Sequence, residues 1–119
     1  MNGVNFYRET AVTTQNKGRL VVMLYDGAIK FLRQAIVAIE ANDFLSKGRF
    51  LIRAQDIIVE LNTTLEMEAD SEIAKNLRAL YNFIYRRLSQ ANTKCDPKIV
   101  REVIGLLEEL NSGWKTITV

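Results

Sequence analysis

The stretch Asp43-Phe44-Leu45-Ser46-Lys47-Gly48-Arg49-Phe50-Leu51-Ile52-Arg53-Ala54-Gln55-Asp56-Ile57-Ile58-Val59-Glu60-Leu61-Asn62-Thr63-Thr64-Leu65 decides the fold. Its apolar residues return at helical spacing, and Phe50, Leu51, Ala54, Ile57, Ile58, Leu61 and Leu65 fall on one face of a helical wheel. That seam is what one helix of a bundle needs to face a shared core. A second row does not fit the same seam: Leu45, Ile52 and Val59 recur every seven residues, divided from it by Gly48, Gln55 and Asn62. A second heptad line on one helix is what a second packing partner requires. The competing reading is an obliquely crossed helix whose whole wide face is core.

Working outward, the chain of 119 residues is of single-domain length and can bury roughly two-thirds of its unfolded surface. It has a single proline, Pro97, and six scattered glycines, too little punctuation for a strand-and-turn fold. The periodicity predicts an all-α fold of four helices at about 16–41, 43–68, 71–93 and 97–115, preceded by a segment 1–15. Residues with short side-chain acceptors stand where caps are needed: Asn16, Asn42-Asp43, Asp70 or Ser71, and Asp96 ahead of Pro97, whose missing N–H costs nothing at a first helical position. Connections this short make neighbours antiparallel, so the expected architecture is an up-down-up-down four-helix bundle forming one domain over residues 1–119.

The other helices also carry wide apolar faces. The first runs through Leu20, Val21, Leu24, Tyr25, Ala28, Ile29, Phe31, Leu32, Ala35, Ile36 and Ile39. The third has a seam of Ile73, Leu77, Leu80, Ile84, Leu88 and Ala91, flanked by Ala74, Tyr81 and Tyr85, with Phe83 well off it. The two tyrosines either pack their rings at a seam edge with the hydroxyl wet, or form a groove wall beside the second line of helix two. In the fourth helix, Ile99, Val100, Val103, Ile104, Leu106, Leu107, Leu110 and Trp114 make a similar arc. Four faces this wide suggest a bundle that expects another polypeptide.

Composition narrows the function. The chain is 48% hydrophobic and 25% charged, with a mean hydropathy of -0.04, values of a soluble globular protein. No run approaches the roughly 18 apolar residues of a membrane span, and the polar start Met1-Asn2-Gly3-Val4-Asn5 is unlike a signal peptide. A lone cysteine, Cys95, forms no internal disulfide, which fits a reducing cytoplasm. Sixteen basic and fourteen acidic residues are interspersed for a net charge of +2, so there is no clustered basic face for nucleic acid. There is no histidine and no glycine-rich phosphate loop, and the carboxylate pairs Glu66 with Glu68 and Glu108 with Glu109 read as solvated helix faces. Without histidine, a ferritin-like dimetal site loses its ligands and Cys95 its activating base. No enzyme, metal site or cofactor is expected. Asp26, set between Tyr25 and Gly27, reads as an exposed carboxylate or a polar contact point.

The segment Met23-Leu24-Tyr25-Asp26-Gly27-Ala28-Ile29 resembles the signature of FliS-type flagellar secretion chaperones. So do Ala54-Gln55-Asp56-Ile57-Ile58, Glu60-Leu61-Asn62, Glu72-Ile73-Ala74, Asn76-Leu77, Leu80-Tyr81, Phe83, Arg86-Arg87-Leu88, Ala91-Asn92, and the late Leu106-Leu107, Leu110 and Trp114. Two departures are local: Lys17 where relatives often have proline, and Asp70-Ser71 where they often have a glycine pair. The resemblance implies a four-helix cytoplasmic chaperone that binds the disordered C-terminal region of flagellin, blocks premature polymerisation and helps deliver the subunit to a component of the flagellar export gate. It implies a mobile N-terminal segment in which Tyr7, preceded by Val4, contacts client or gate, and it allows a homodimer. The expected client-binding residues are Val4, Tyr7, Leu45, Ile52, Val59, Tyr81, Tyr85, Ile104, Leu107 and Trp114. The alternative is a structural helical homo-oligomer with no client, whose surplus faces bury one another.

Overall fold

A computed structural model describes residues 17–65 and 71–117, and those residues form four α-helices with no strand among them. They are α1 (Lys17–Glu40), α2 (Phe44–Thr64), α3 (Glu72–Lys94) and α4 (Pro97–Ile117). The all-α bundle expected from the periodicity is the fold observed. Segment 1–15, the Asn16 cap, Asp70 and residues 66–68 of the expected second helix lie outside the described residues.

Local chemistry sets the ends. After Glu40 the chain turns through Asn42, whose φ of 57° is left-handed, a conformation asparagine tolerates better than most residues. Asp43 then caps α2, its Oδ1 accepting the Ser46 N–H at 3.2 Å. That hydrogen bonding, together with the nearby Arg49, holds the Asp43 carboxyl below the usual carboxylate range. Ser71, the alternative that the structure selects over Asp70, accepts the Ala74 N–H at 2.9 Å and starts α3. At the other end of α3, Cys95 takes the left-handed conformation (φ 51°) and returns its N–H to Ala91 O. Asp96 follows, accepting the Lys98 N–H at 2.9 Å ahead of Pro97 at the first position of α4.

Each helix packs on two neighbours: α1 on α2 and α4, and α3 on α2 and α4. Cross-helix pairs fix the register. On α1 and α4, Asp26 meets Asn111, Arg33 meets Glu108 and Glu40 meets Arg101; one number rises as the other falls, as antiparallel neighbours require. On α2 and α3, Lys47, Gln55 and Asn62 meet Asn92, Tyr85 and Asn82 in the same sense. The bundle measures 43 × 33 × 23 Å.

The centre is filled by Leu32, Leu51, Ile58, Leu61, Ile84, Leu88, Val100, Val103 and Leu107, all sealed from solvent. Two tyrosines join them. Tyr25 on α1 and Tyr81 on diagonal α3 share a hydroxyl–hydroxyl hydrogen bond, their rings 6.4 Å apart. Burial pushes both phenols above their ordinary ionisation range, Tyr81 the further.

Candidate protein-docking surface

The second line of α2 is exposed. Leu45, Ile52 and Val59 are 68%, 53% and 50% accessible, while Leu51, Ala54, Ile58 and Leu61 on the seam are buried. Phe44 extends the strip at its start, and Tyr85 of α3 borders it at 41% exposure. The seven-residue spacing keeps these side chains in register along the helix, a continuous apolar edge of the kind that marks an interaction surface.

Three polar side chains reach from α2 to α3, Gln55 and Asn62 between that strip and the core and Lys47 at the end of the buried seam. Lys47, nearly buried, donates through Nζ to Asn92 O at 2.8 Å, in the last turn of α3, where the helix dipole favours a cation. The Lys47 ammonium also lies 3.5 Å from Cys95 Sγ and 5.9 Å from the centre of the Phe44 ring. Gln55, also buried, donates to Tyr85 O at 3.0 Å and Ser89 Oγ at 2.9 Å. Asn62 donates to Asn82 Oδ1 at 3.1 Å. Gln55 and Asn62, which divide the two apolar lines in the sequence, also tie α2 to α3.

Several expected contact residues lie elsewhere. Tyr81, expected on a groove wall, is 1% exposed and hydrogen-bonded to Tyr25, so neither proposed role of its hydroxyl holds. Ile104 and Leu107 are buried in the core and offer no free surface. Trp114 is half-buried against that core. Ile73, assigned to the α3 seam, is instead 70% exposed, because the true seam runs through Ala74, Tyr81, Ile84, Leu88 and Ala91. Val4 and Tyr7 lie outside the described residues.

The rotation of α3 leaves apolar side chains along its α4 side as well. Leu77, Leu80, Leu106 and Leu110 are only partly buried there, with Phe83, Ile73 and Ile117 exposed. Arg87 and Glu102 bridge this edge in a two-bonded pair, which lowers the Glu102 carboxyl and raises the guanidinium. Among the described residues no group of three or more potential ligands is placed to hold a metal ion, and no helix is long and apolar enough to cross a membrane.

A family model described as flagellar protein FliS matches residues 1–119. The chain is 41% identical over 114 residues to the flagellar secretion chaperone FliS of Bacillus subtilis, covering 96% of this chain and 84% of that one. The Salmonella typhimurium protein of the same name is 40% identical over 111 residues, covering 92% and 82%. That of Vibrio cholerae is 37% identical over 115 residues, covering 93% and 85%.

Proposed function

This chain belongs to the FliS family of flagellar proteins, and on that premise we propose that its α2–α3 face binds the disordered C-terminal region of flagellin in the cytosol. Bound flagellin is kept from polymerising early and is presented to a component of the export gate. The observation that carries the reading is the exposed row Leu45, Ile52 and Val59 with Tyr85 beside it. A client segment forming an amphipathic helix lays its own apolar stripe along such a row, as helix-in-groove recognition does. Because the client is disordered when free, part of the interaction energy is spent on ordering it, which favours a long contact strip over a compact pocket. The chain acts by binding and catalyses nothing.

Val4 and Tyr7 are assigned to client and gate contacts on the family resemblance alone, with Tyr7 more important to hand-over than to stability. Titrating the full chain with a flagellin C-terminal fragment in a calorimeter tests the reading. The expected result is saturable binding with a strongly negative heat-capacity change from buried apolar surface. A protein that ignores the fragment and forms a tight homo-oligomer through this face would support the structural alternative instead.

A further inference from the structure

Charge is not shared evenly among the helices. α3 carries Lys75, Arg78, Arg86, Arg87 and Lys94 against a single acid, Glu72, a net +4 where the whole chain carries +2. Among the described residues only Arg87 of these five is in an ion pair, with Glu102. The other four are placed by the helical repeat. The row Ala74, Tyr81, Ile84, Leu88 and Ala91 is buried, so the opposite crest of α3 faces away from the bundle; Lys75 and Arg86, both exposed, lie on it about 20° apart. Arg78 and Lys94 flank the crest on either side, with stems long enough to bring their charges round to it. Phe83, 39% exposed, stands about 60° from Arg86. Few acids border this surface: Glu72 in the first turn, where the helix dipole favours an acid, and on the facing edge of α4 Glu102, already bonded to Arg87, with Glu109 a heptad beyond. The exposed crest of α1 is unlike it, for Arg19, Asp26, Lys30, Arg33 and Glu40 mix both signs along its length.

We propose that the crest of α3 adsorbs reversibly to a bilayer rich in anionic phospholipid. Charge and shape together select this occupant. Ammonium and guanidinium groups bond lipid phosphates, the guanidinium through two N–H groups at once. Each basic residue held near an anionic surface strengthens partition by roughly fivefold, and the four here are spread over about 28 Å of helix, from Lys75 to Lys94. The crest of a single helix is convex and has no groove to seat a peptide, whereas a bilayer is flat and needs none. Phe83 supplies an apolar ring to press among the headgroups, a contact that an acidic protein surface or a nucleic-acid backbone would waste. The contact is adsorption and not insertion, since no helix among the described residues is long and apolar enough to cross a membrane. It is independent of the client reading above: Tyr85, which borders the α2–α3 strip, points about 100° round α3 from Arg86, so strip and crest face different ways. Secretion ends at a membrane, and a chaperone held loosely at its surface searches for the export machinery in two dimensions instead of three.

The test is co-sedimentation of the full chain with vesicles of phosphatidylcholine alone and of phosphatidylcholine with phosphatidylglycerol at about three to one. The wild type is expected to partition at least about tenfold more strongly onto the anionic vesicles and to leave them as salt rises from about 0.1 to 1 M, where the screening length shrinks from about 10 to 3 Å. Lys75→Glu/Arg86→Glu should lower that partition by about 25-fold or more, two fivefold attractions lost, with an unchanged melting temperature because both side chains are exposed. Arg19→Glu/Lys30→Glu makes the same change of net charge on the crest of α1, which does not pack on α3, and should lower it by less than about threefold. If the glutamate pair on α3 fails to fold, Lys75→Gln/Arg86→Gln, which removes the charges and keeps good helix formers, decides with an expected loss of about 25-fold. Equal partition onto both vesicle types overturns the proposal, as does an equal loss in the α1 and α3 pairs, which would mark net charge and not the crest. Retention of the chain by immobilised polyglutamate with no uptake by anionic vesicles also overturns it and assigns the crest to an acidic protein. None of these results bears on binding of the flagellin fragment, so the client reading stands or falls separately.

Discussion

Ile52→Asp separates docking surface from core. Ile52 is 53% exposed in the free protein, so a client that covers it removes only the remaining half of its apolar surface from water. Full burial of an isoleucine contributes about 1.5–3 kcal/mol, which makes that half worth about 1 kcal/mol. An aspartate there forfeits the gain and adds the cost of pressing a carboxylate into apolar contact, a further 1–3 kcal/mol. The sum, about 2–4 kcal/mol, is a loss of affinity of roughly thirty- to several-hundred-fold. Stability of the free bundle should fall by no more than about 1 kcal/mol, since the position is solvated and the helix-propensity difference is small. Ile58→Asp supplies the contrast: that side chain is fully buried, and a carboxylate there consumes much of the 5–15 kcal/mol that holds a typical domain together. Calorimetric titration with the flagellin fragment and thermal unfolding of both variants check the pair. The reasoning is refuted if Ile52→Asp binds with wild-type affinity, or if it unfolds while Ile58→Asp stays cooperative.

Tyr25→Phe and Tyr81→Phe should each destabilise by about 1 kcal/mol, and the double variant by little more than either, because they break the same hydrogen bond; a double-mutant cycle in denaturant reads the coupling. Both phenols have raised folded pKa values, so the stability they contribute is complete below their unfolded value of 10.0 and is lost as pH rises toward the folded one; the melting temperature followed from pH 9 upward should fall steadily, and less so in the double variant. Cys95→Gly should stabilise by about 0.5–1 kcal/mol, since glycine adopts the left-handed conformation at the end of α3 without strain; a lower melting temperature would mean that the Sγ contact with Lys47 outweighs the backbone. At the acid end, the Asp43 and Glu102 carboxyls have depressed folded pKa values, so their contribution is complete above the unfolded values and is lost as pH falls through the folded ones; Asp43→Ala should flatten the decline of melting temperature below about pH 4, and an unchanged slope would exclude the cap as its source.

Much of the fold was legible because its signals are local. The caps Asp43, Ser71 and Asp96 act within three residues of themselves, and the seam of α2 follows from its own spacing. What a single helix cannot disclose is which way it turns toward its neighbours. Reading α3 by leucine and isoleucine alone rotated it by less than one residue step, enough to bring Ile73 inward and set Tyr81 at an edge. The hydroxyl that argued for that edge is satisfied by Tyr25, 56 residues away in sequence, a pairing invisible from either segment alone. Ile104 and Leu107 went astray for a related reason: an arc as wide as that of α4 does not say which part of it the other helices use up. The strip on α2 was legible because polar residues mark its boundary in the sequence itself.

The ladder of Lys47, Gln55 and Asn62 makes fold and cargo separable traits. All the donors sit on one helix and all the acceptors on the other, so α2 cannot slide along α3 without breaking four hydrogen bonds at once. The row Leu45, Ile52, Val59 therefore keeps its alignment whatever apolar residues occupy it. On the client reading proposed above, a lineage can exchange those side chains to follow a drifting client sequence while the interior drifts under different constraints, and changes in the row and in the interior should combine additively. Divergence among chaperones built this way is then free to proceed at two speeds, one set by packing and one by the passenger.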